Sequence, residues 1–212
     1  MADAPRLAVV DYGIGNLRSA EKALQHVGAD ARLTSDPAEV ASADGVVVPG
    51  VGAFGRTVEA LRSSGLEPVV RAAAEAARDG SGVPFLGICV GMQVLFEDSE
   101  ESPEARGLAV LPGRVRRLPP GVKRPQMQWN RLALTDPADP LWAGLPADPW
   151  MYFVHSFAGD ATGEVVAATC DYGARVLAAV RVRRLSAMQF HPEKSGDNGL
   201  RVLGNFVDAC RR

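Results

Sequence analysis

Apolar and polar positions follow two different patterns along the chain, and one pattern gives way to the other near the middle of the chain. In the first half, apolar runs of strand length are each followed by stretches in which apolar residues recur every three or four positions. This pattern predicts strands at 6–10, 31–34, 46–48 and 83–88, and helices at 17–27, 56–62 and 66–78. Such alternation is typical of a parallel sheet covered by helices on both faces.

The second half contains shorter segments rich in β-forming residues and broken by Pro, Gly and Asp. They predict antiparallel strands or an added edge sheet near 113–118, 130–134, 150–154, 165–170 and 175–180. A hairpin turn is expected at 171–173, a strand at 187–190 and a closing helix at 200–210. The expected fold is α/β, a three-layer, doubly wound, mostly parallel sheet with a smaller antiparallel sheet, formed by residues 1–212 as a single domain.

The composition and charge of the chain argue against several classes of protein. The formal net charge is −2, and the basic stretch 114–117 alternates like the solvated face of a strand, so no nucleic-acid partner is predicted. The three cysteines have neither paired nor C-x-x-C spacing, which argues against a disulfide framework or zinc site and fits a reducing compartment. Neither a signal peptide nor an apolar run of membrane-spanning length is found, so a cytoplasmic protein without membrane contact is expected.

The apolar run before Cys89 is the strongest candidate for chemistry. It ends at the cysteine, glycines lie two residues to either side, and Met92, Leu95 and Phe96 then follow a helical pattern. A sharp strand-to-helix turn of this kind is a nucleophile elbow, with sulfur at a helix N-terminus that favours the thiolate. The alternative is a buried structural cysteine, since free cysteines are often buried.

A thiol nucleophile needs a base, and the base needs an orienting group. Of the three histidines, His26 is predicted on the surface of the first helix and His155 at a strand end. His191 follows an apolar strand within His-Pro-Glu, and residues two apart in extended chain point the same way. Glu193 is therefore predicted to orient His191 towards Cys89.

Backbone N–H groups are expected to stabilise the oxyanion. One donor is the residue after the nucleophile, Val90, and the other belongs to the glycine-rich loop 49–52 at the end of the neighbouring strand. Residues 50–55 also match G-x-G-x-x-G, the dinucleotide fingerprint. The acidic residue that this fingerprint requires falls near Glu75, within a helical run, so dinucleotide binding is not predicted.

These motifs together resemble the class I (triad) glutamine amidotransferases. Within that class, the chain resembles the glutaminase subunits of imidazole glycerol phosphate synthase at residues 11–17, 49–55, 152–156 and 191–195. The resemblance extends from about Leu7 to Phe206 and implies a flavodoxin-like fold. It also implies that L-glutamine is hydrolysed through a thioester on Cys89, without a metal or cofactor.

The resemblance assigns further roles residue by residue. Catalysis is implied for Cys89, His191 and Glu193, and the oxyanion hole for Val90, Val51 and Gly52. The glutamine pocket would comprise Gly50, Gln93, Glu101, Ser156 and Phe157. Each of three pocket residues also has a structural alternative: Gln93 as a first-turn helix residue, Glu101 as part of a solvated acidic run, and Phe157 as packing.

A partner protein is implied as well. In the family, a (β/α)₈-barrel cyclase receives the ammonia through a channel and makes imidazole glycerol phosphate and an aminoimidazole carboxamide ribotide. The cyclase contacts a gating surface, to which Asn16, Tyr152 and Lys194 correspond in this chain. Trp129 and Trp150 are interpreted as either core or interface residues. The family's Pro-His-Met-Gly-Trp-Asn is Pro-Gln-Met-Gln-Trp-Asn at 125–130, which predicts an altered contact surface at Gln126 and Gln128.

Two other functions are compatible with the fold. The chain could be a class I glutaminase that serves a different synthase, although the first loop and Lys194 favour the imidazole glycerol phosphate branch. A non-catalytic interaction protein of the same fold is the second alternative, against which the intact triad argues.

Overall fold

An eight-stranded sheet organises the computed structural model, which describes residues 4–15 and 17–211. The strands of this sheet are β1 (Arg6–Val10), β2 (Asp30–Thr34), β3 (Gly45–Gly50), β4 (Phe85–Cys89), β8 (Ala133–Leu134), β11 (Val166–Asp171), β12 (Arg175–Val182) and β13 (Leu185–Met188). Their order across the sheet is β2-β1-β3-β4-β13-β12-β11-β8. Neighbours from β2 to β13 run parallel, and the remaining pairs run antiparallel.

Helices cover both faces of this sheet. They are α1 (Leu17–His26), α2 (Pro37–Ser42), α3 (Phe54–Ser63), α4 (Glu67–Asp79), α5 (Val90–Gln93) and α6 (Gly196–Ala209). Helix α1 contacts α6, whereas α4 contacts both α2 and α3, so two separate helical layers enclose the strands. The three-layer, doubly wound and mostly parallel α/β prediction is thereby confirmed.

The second half both extends the main sheet and builds two smaller ones. Strands β12, β11 and β8 continue the sheet in antiparallel fashion, and the turn predicted at 171–173 joins β11 to β12. A three-stranded sheet contains β5 (Asp98–Ser99), β6 (Arg114–Arg117) and β10 (Phe157–Gly159), and a two-stranded ribbon pairs β7 (Gln126–Arg131) with β9 (Trp150–His155). Arg114 and Arg116 of β6 form ion pairs with Asp98, Glu100 and Asp160, as expected for a solvated strand face.

Several predicted boundaries were wrong for identifiable reasons. Helix α2 was missed, although Asp36 accepts a hydrogen bond from the Ala38 N–H as its N-cap and Pro37 occupies its first turn. Helix α6 begins at Gly196 rather than residue 200, since its first turn carries no apolar periodicity. The strand predicted at 130–134 is the junction of β7 and β8, which belong to different sheets.

Buried apolar side chains fill the space between the sheet and its helices. The largest include Phe54, Phe85, Phe153, Phe190 and Phe206. None of the helices within residues 4–15 and 17–211 combines the length and apolarity needed to cross a membrane.

Candidate active site

Cys89 lies at the carboxyl end of β4, in a backbone conformation that non-glycine residues rarely adopt, with φ 54° and ψ −111°. The glycines on either side are sterically required. A Cβ at Gly91 would lie 1.8 Å from the Val48 carbonyl oxygen, and one at Gly87 would lie 2.7 Å from the Gly91 oxygen. The predicted elbow is therefore present, and it projects a strained cysteine from the end of a buried strand.

The helix after Cys89 is much shorter than its apolar pattern predicts. Helix α5 has four residues, because the carbonyls of Val94, Leu95 and Phe96 accept hydrogen bonds from N–H groups in the segment 108–111 rather than from a further helical turn. A single turn has only a small dipole. Stabilisation of a Cys89 thiolate must therefore come mainly from neighbouring side chains.

His191 and Glu193 approach Cys89 from the adjacent strand. Strand β13 runs parallel to β4, with Met188 opposite Ile88, so both chains leave the sheet side by side. The His191 Nδ1 lies 2.7 Å from the Glu193 Oε1, and the two side chains are only 2% and 6% exposed. The His191 Nε2 is buried without a hydrogen-bond partner among the described residues, so it is the nitrogen available to the Cys89 thiol.

The electrostatics of His191 favour an imidazolium. Burial by itself lowers the pKa of His191, but the nearby Cys89 sulfur and the hydrogen-bonded Glu193 carboxylate outweigh it and raise the pKa to about 9. At neutral pH this arrangement supports a protonated imidazole beside the sulfur, ready to give a proton to a departing amine.

We expect Glu193→Gln to shift the titration of His191 from about pH 9 towards lower pH, because the carboxylate stabilises the charged ring. The catalytic activity of the site should fall about hundredfold, within the range of lost acid–base catalysis. An NMR pH titration of the imidazole resonances measures the shift. His155 is an internal reference, since burial lowers the pKa of that ring to about 4. An unchanged His191 midpoint would contradict this assignment.

Ser195 fixes the turn that carries His191. Its hydroxyl donates a hydrogen bond to the His191 carbonyl at 2.6 Å and accepts one from the Tyr152 N–H at 2.9 Å. The His191 N–H in turn donates to the Tyr152 carbonyl. Strand β9 and the His-Pro-Glu turn are thus tied together, and the imidazole is held in place from its backbone.

The loop after β3 lies directly against the elbow. Gly50 is opposite Cys89 in the sheet register, and a Cβ there would lie 2.6 Å from the Gly91 nitrogen. Gly52 has φ +98°, which favours glycine, and Val51 and Gly52 line the cavity beside Cys89. The buried Tyr12 hydroxyl donates a hydrogen bond to the Pro49 carbonyl and so anchors the start of this loop.

A cavity of about 350 Å³ opens in front of the sulfur, within the range of small-molecule sites. The predicted residues that line it are Val51, Gly52, Cys89, Val90, Gln93, Glu101, Ser156, Phe157, His191 and Lys194. Gly50, Glu193 and Tyr152 do not line it, and Asn16 lies outside the described residues. No cluster of metal-binding side chains occurs within residues 4–15 and 17–211.

Gln93 lines this cavity, and its side-chain amide group is held by two hydrogen bonds. Its Nε2 donates to the Phe157 carbonyl at 2.9 Å and to the Gln189 Oε1 at 3.0 Å. Both amide hydrogens are used in these bonds, so the oxygen remains to accept from a donor such as a substrate ammonium group. Phe157 takes part through its backbone carbonyl as well as through packing.

Glu101 differs from the expectation of a solvated acidic residue. Its Oε2 accepts a hydrogen bond from the Phe54 N–H at 2.8 Å, so it caps α3 directly after the glycine-rich loop. The neighbouring Ser102 hydroxyl accepts from the Gly55 N–H. Glu101 therefore both lines the cavity and fixes the end of the loop that borders it.

Glu101→Ala is expected to lower the free energy of unfolding by about 1 kcal/mol, the usual cost of a lost helix cap. Urea unfolding measures the change, and Glu104→Ala on the exposed part of the same segment is the matched control, expected within about 0.5 kcal/mol of the parent. Unchanged stability together with weaker binding of a ligand in the cavity would instead limit Glu101 to a role in ligand binding.

Gln126 is not on the surface, which corrects the sequence prediction. It is fully buried, and its Oε1 lies 3.0 Å from the His155 Nε2, while the His155 Nδ1 lies 2.8 Å from the Phe157 carbonyl. Gln128 is exposed, as expected. The glutamine that replaces the family's histidine at position 126 therefore changes a buried contact behind the cavity. Only the glutamine that replaces the family's glycine at position 128 changes the surface.

Four residues close to the site were not identified as such from the sequence: Tyr12, His155, Gln189 and Ser195. Tyr12, His155 and Ser195 belong to motifs that were recognised as whole units, so their presence was known but their contacts were not. Gln189 stands two positions before His191, and the same alternation that placed Glu193 beside His191 would have placed Gln189 on that face.

Known proteins of one family are similar to this chain over nearly its whole length. A family model described as glutamine amidotransferase class-I matches residues 8–210. The chain is 49% identical to imidazole glycerol phosphate synthase subunit HisH of Synechococcus sp. (strain JA-3-3Ab) over 213 aligned residues, covering 99% of this chain and 96% of that relative. It is 46% identical to the subunit HisH of Methanothermobacter thermautotrophicus over 208 residues, covering 97% and 99%.

Solved structures share the fold at lower identity. One described as a glutamine amidotransferase has a TM-score of 0.73 and 24% identity, covering 96% of this chain and 98% of its own. The structure of PurLQS from Thermotoga maritima also has a TM-score of 0.73, with 20% identity, covering 98% of this chain and 99% of its own.

Proposed function

This chain belongs to the class I glutamine amidotransferase family, and on that premise we propose that it is the glutaminase subunit of an imidazole glycerol phosphate synthase. The observation that carries the proposal is the contact series at the cavity wall. Glu193 holds the Nδ1 of His191, and the unpartnered Nε2 is left for the Cys89 thiol. A buried thiol, imidazole and carboxylate in this order are the parts needed for acyl transfer.

The reaction divides into two steps. The Cys89 thiolate attacks the carboxamide carbon of L-glutamine, and N–H groups at Val90 and the Val51–Gly52 loop stabilise the oxyanion. Protonated His191 gives its proton to the departing ammonia, which leaves a glutamyl thioester. Neutral His191 then takes a proton from water, whose oxygen attacks the thioester. Glutamate leaves and the thiolate is restored.

The cavity has groups suited to the glutamine head group. The Gln93 oxygen can accept from the α-ammonium group, as its two amide hydrogens are already engaged. Glu101, Ser156 and Phe157 border the same space, and Gly50 supports it from behind. We assign these residues to glutamine binding and orientation.

A protein partner is expected at the β7–β9 ribbon. Three large apolar side chains are exposed there: Met127 at 62%, Trp129 at 46% and Trp150 at 48%. The alternative that the tryptophans belong to the core was therefore wrong. Tyr152 packs its ring against Trp129, with centroids 6.1 Å apart, and exposed apolar patches of this kind are characteristic of binding surfaces.

We infer that this face binds a (β/α)₈-barrel cyclase, with Tyr152 and Lys194 at the passage for ammonia. The cyclase would use the ammonia to make imidazole glycerol phosphate and an aminoimidazole carboxamide ribotide in histidine biosynthesis.

The three cysteines are unpaired, which fits a reducing compartment such as the cytoplasm.

The test is glutamate release from L-glutamine by the chain alone, with a cyclase, and with the cyclase carrying its nucleotide ligand. Low activity alone and strong stimulation by the liganded cyclase are expected. Vigorous hydrolysis that the cyclase does not change would instead indicate a glutaminase serving another synthase. No hydrolysis under any condition would contradict the proposal.

A further inference from the structure

Gln189 is a buried polar residue that contacts the nucleophile. It follows β13, its side chain is fully buried, and its backbone N–H donates to the Ala178 carbonyl. Its Nε2 donates to the Cys89 Sγ at 3.7 Å, and its Oε1 accepts from the Gln93 Nε2 at 3.0 Å. Burying an amide is costly unless it is hydrogen-bonded, and here both ends of the amide have partners.

We propose that Gln189 is a positioning residue that holds and stabilises the Cys89 thiolate and couples it to the glutamine subsite through Gln93. This inference rests on the proposed glutaminase function. It adds a neutral donor to the sulfur's environment, beside the charged His191.

The orientation of the Gln189 amide is determined by its partners. Gln93 donates to the Gln189 oxygen with one amide hydrogen and to the Phe157 carbonyl with the other. Because the oxygen of Gln189 is committed to Gln93, its NH₂ group is directed at the sulfur. A ligand that binds the Gln93 oxygen would restrain the same amide network and thereby the position of the sulfur.

The N–H···S bond acts at two stages of the reaction. Hydrogen bonds to charged acceptors are stronger than those to neutral ones, so the bond favours the thiolate over the thiol. It weakens when the sulfur attacks and becomes a neutral thioester. When water has added to the thioester and the C–S bond breaks, the sulfur leaves with the electron pair, and the Gln189 N–H again stabilises the negative charge.

This donor is needed because the helix behind Cys89 is short. With only four residues, α5 supplies little dipole, and the sulfur depends on the side chains that follow β13. Both Gln189 and His191 come from that segment, two positions apart, so one strand end supplies the acid–base group and the thiolate donor.

The test compares the parent chain with Gln189→Met, which keeps the length of the side chain and removes the amide. The rate of Cys89 alkylation by iodoacetamide is followed against pH and mapped by mass spectrometry. Burial raises the pKa of Cys170 to about 11 and that of Cys210 to about 12, so both should stay unmodified near neutral pH. We expect the alkylation midpoint to rise by about one pH unit, and kcat/KM with the liganded cyclase at pH 7 to fall about tenfold.

Gln93→Met is the matched control. It removes the group that orients the Gln189 oxygen and faces the substrate, but it keeps the Gln189 donor itself. KM should therefore rise, and the alkylation midpoint should shift in the same direction as in Gln189→Met but by a smaller amount. Thermal unfolding checks that each variant is folded. If Gln189→Met does not fold, Gln189→Glu keeps the shape and brings a carboxylate to the sulfur, and its midpoint should rise further.

A Gln189→Met protein that is folded and alkylates with the parent's pH profile would overturn the proposal. So would equal midpoint shifts in the Gln189 and Gln93 variants, which would indicate a general disturbance of the site. Because alkylation needs neither the cyclase nor glutamine, it decides the role of Gln189 even if the parent shows no glutaminase activity.

Discussion

Cys89→Ser is expected to abolish glutamine-dependent product formation, with a loss of about 10⁴-fold or more, as for other nucleophile replacements. Serine is nearly isosteric and can occupy the same strained backbone conformation, so the fold should persist. Its hydroxyl, however, is far less readily ionised than a thiol beside His191. Glutamate release by the complex with the liganded cyclase measures the effect.

The same variant should leave ammonia-dependent synthesis by the complex nearly unchanged, because free ammonia replaces the product of the missing step. Cys170→Ser is the matched control: that cysteine is buried, with its sulfur 4.0 Å from the Gln126 Nε2, and should be dispensable for turnover. Retention of glutamine-dependent synthesis by Cys89→Ser would exclude the thioester route. Loss of both syntheses would point to a structural role for Cys89 in the complex.

Gly91→Ala is expected to destabilise the protein by about 3–5 kcal/mol, in the range of severe overpacking and backbone strain. The new Cβ would lie 1.8 Å from the Val48 oxygen and 2.8 Å from the Val48 carbonyl carbon. These are backbone atoms of a central strand paired with β4, and they cannot withdraw without breaking the sheet register. Either the elbow or the strand must therefore move, and Cys89 with it.

Gly204→Ala is the matched control for this variant. Gly204 is also a helical glycine, but a Cβ there would meet only the Val27 Cβ at 4.0 Å. Alanine should stabilise α6 by up to about 1 kcal/mol, because glycine loses more backbone entropy in a helix. Chemical denaturation measures the free energy of unfolding of both variants. Equal values would show that the elbow tolerates a side chain at position 91.

Features that depend on neighbours along the chain can be predicted from the amino-acid sequence alone. Apolar periodicity identified the parallel sheet and its helices, because a buried strand and an amphipathic helix each leave a local pattern. The elbow could be predicted because glycines flank Cys89. The pairing of His191 with Glu193 could be predicted because residues two apart in an extended chain point to the same side. Family resemblance then supplied the reaction and the partner.

Contacts between distant segments, in contrast, became apparent only in the folded protein. The helix after Cys89 stops because residues 108–111 take its carbonyls, and Glu101 caps a helix 47 positions earlier in the chain. Gln126 is buried because His155 faces it, and Gln189 reaches Cys89 across 100 positions because β4 and β13 are adjacent. A local pattern predicts which side of a strand or helix is buried, but it does not predict which atoms of distant segments contact that side.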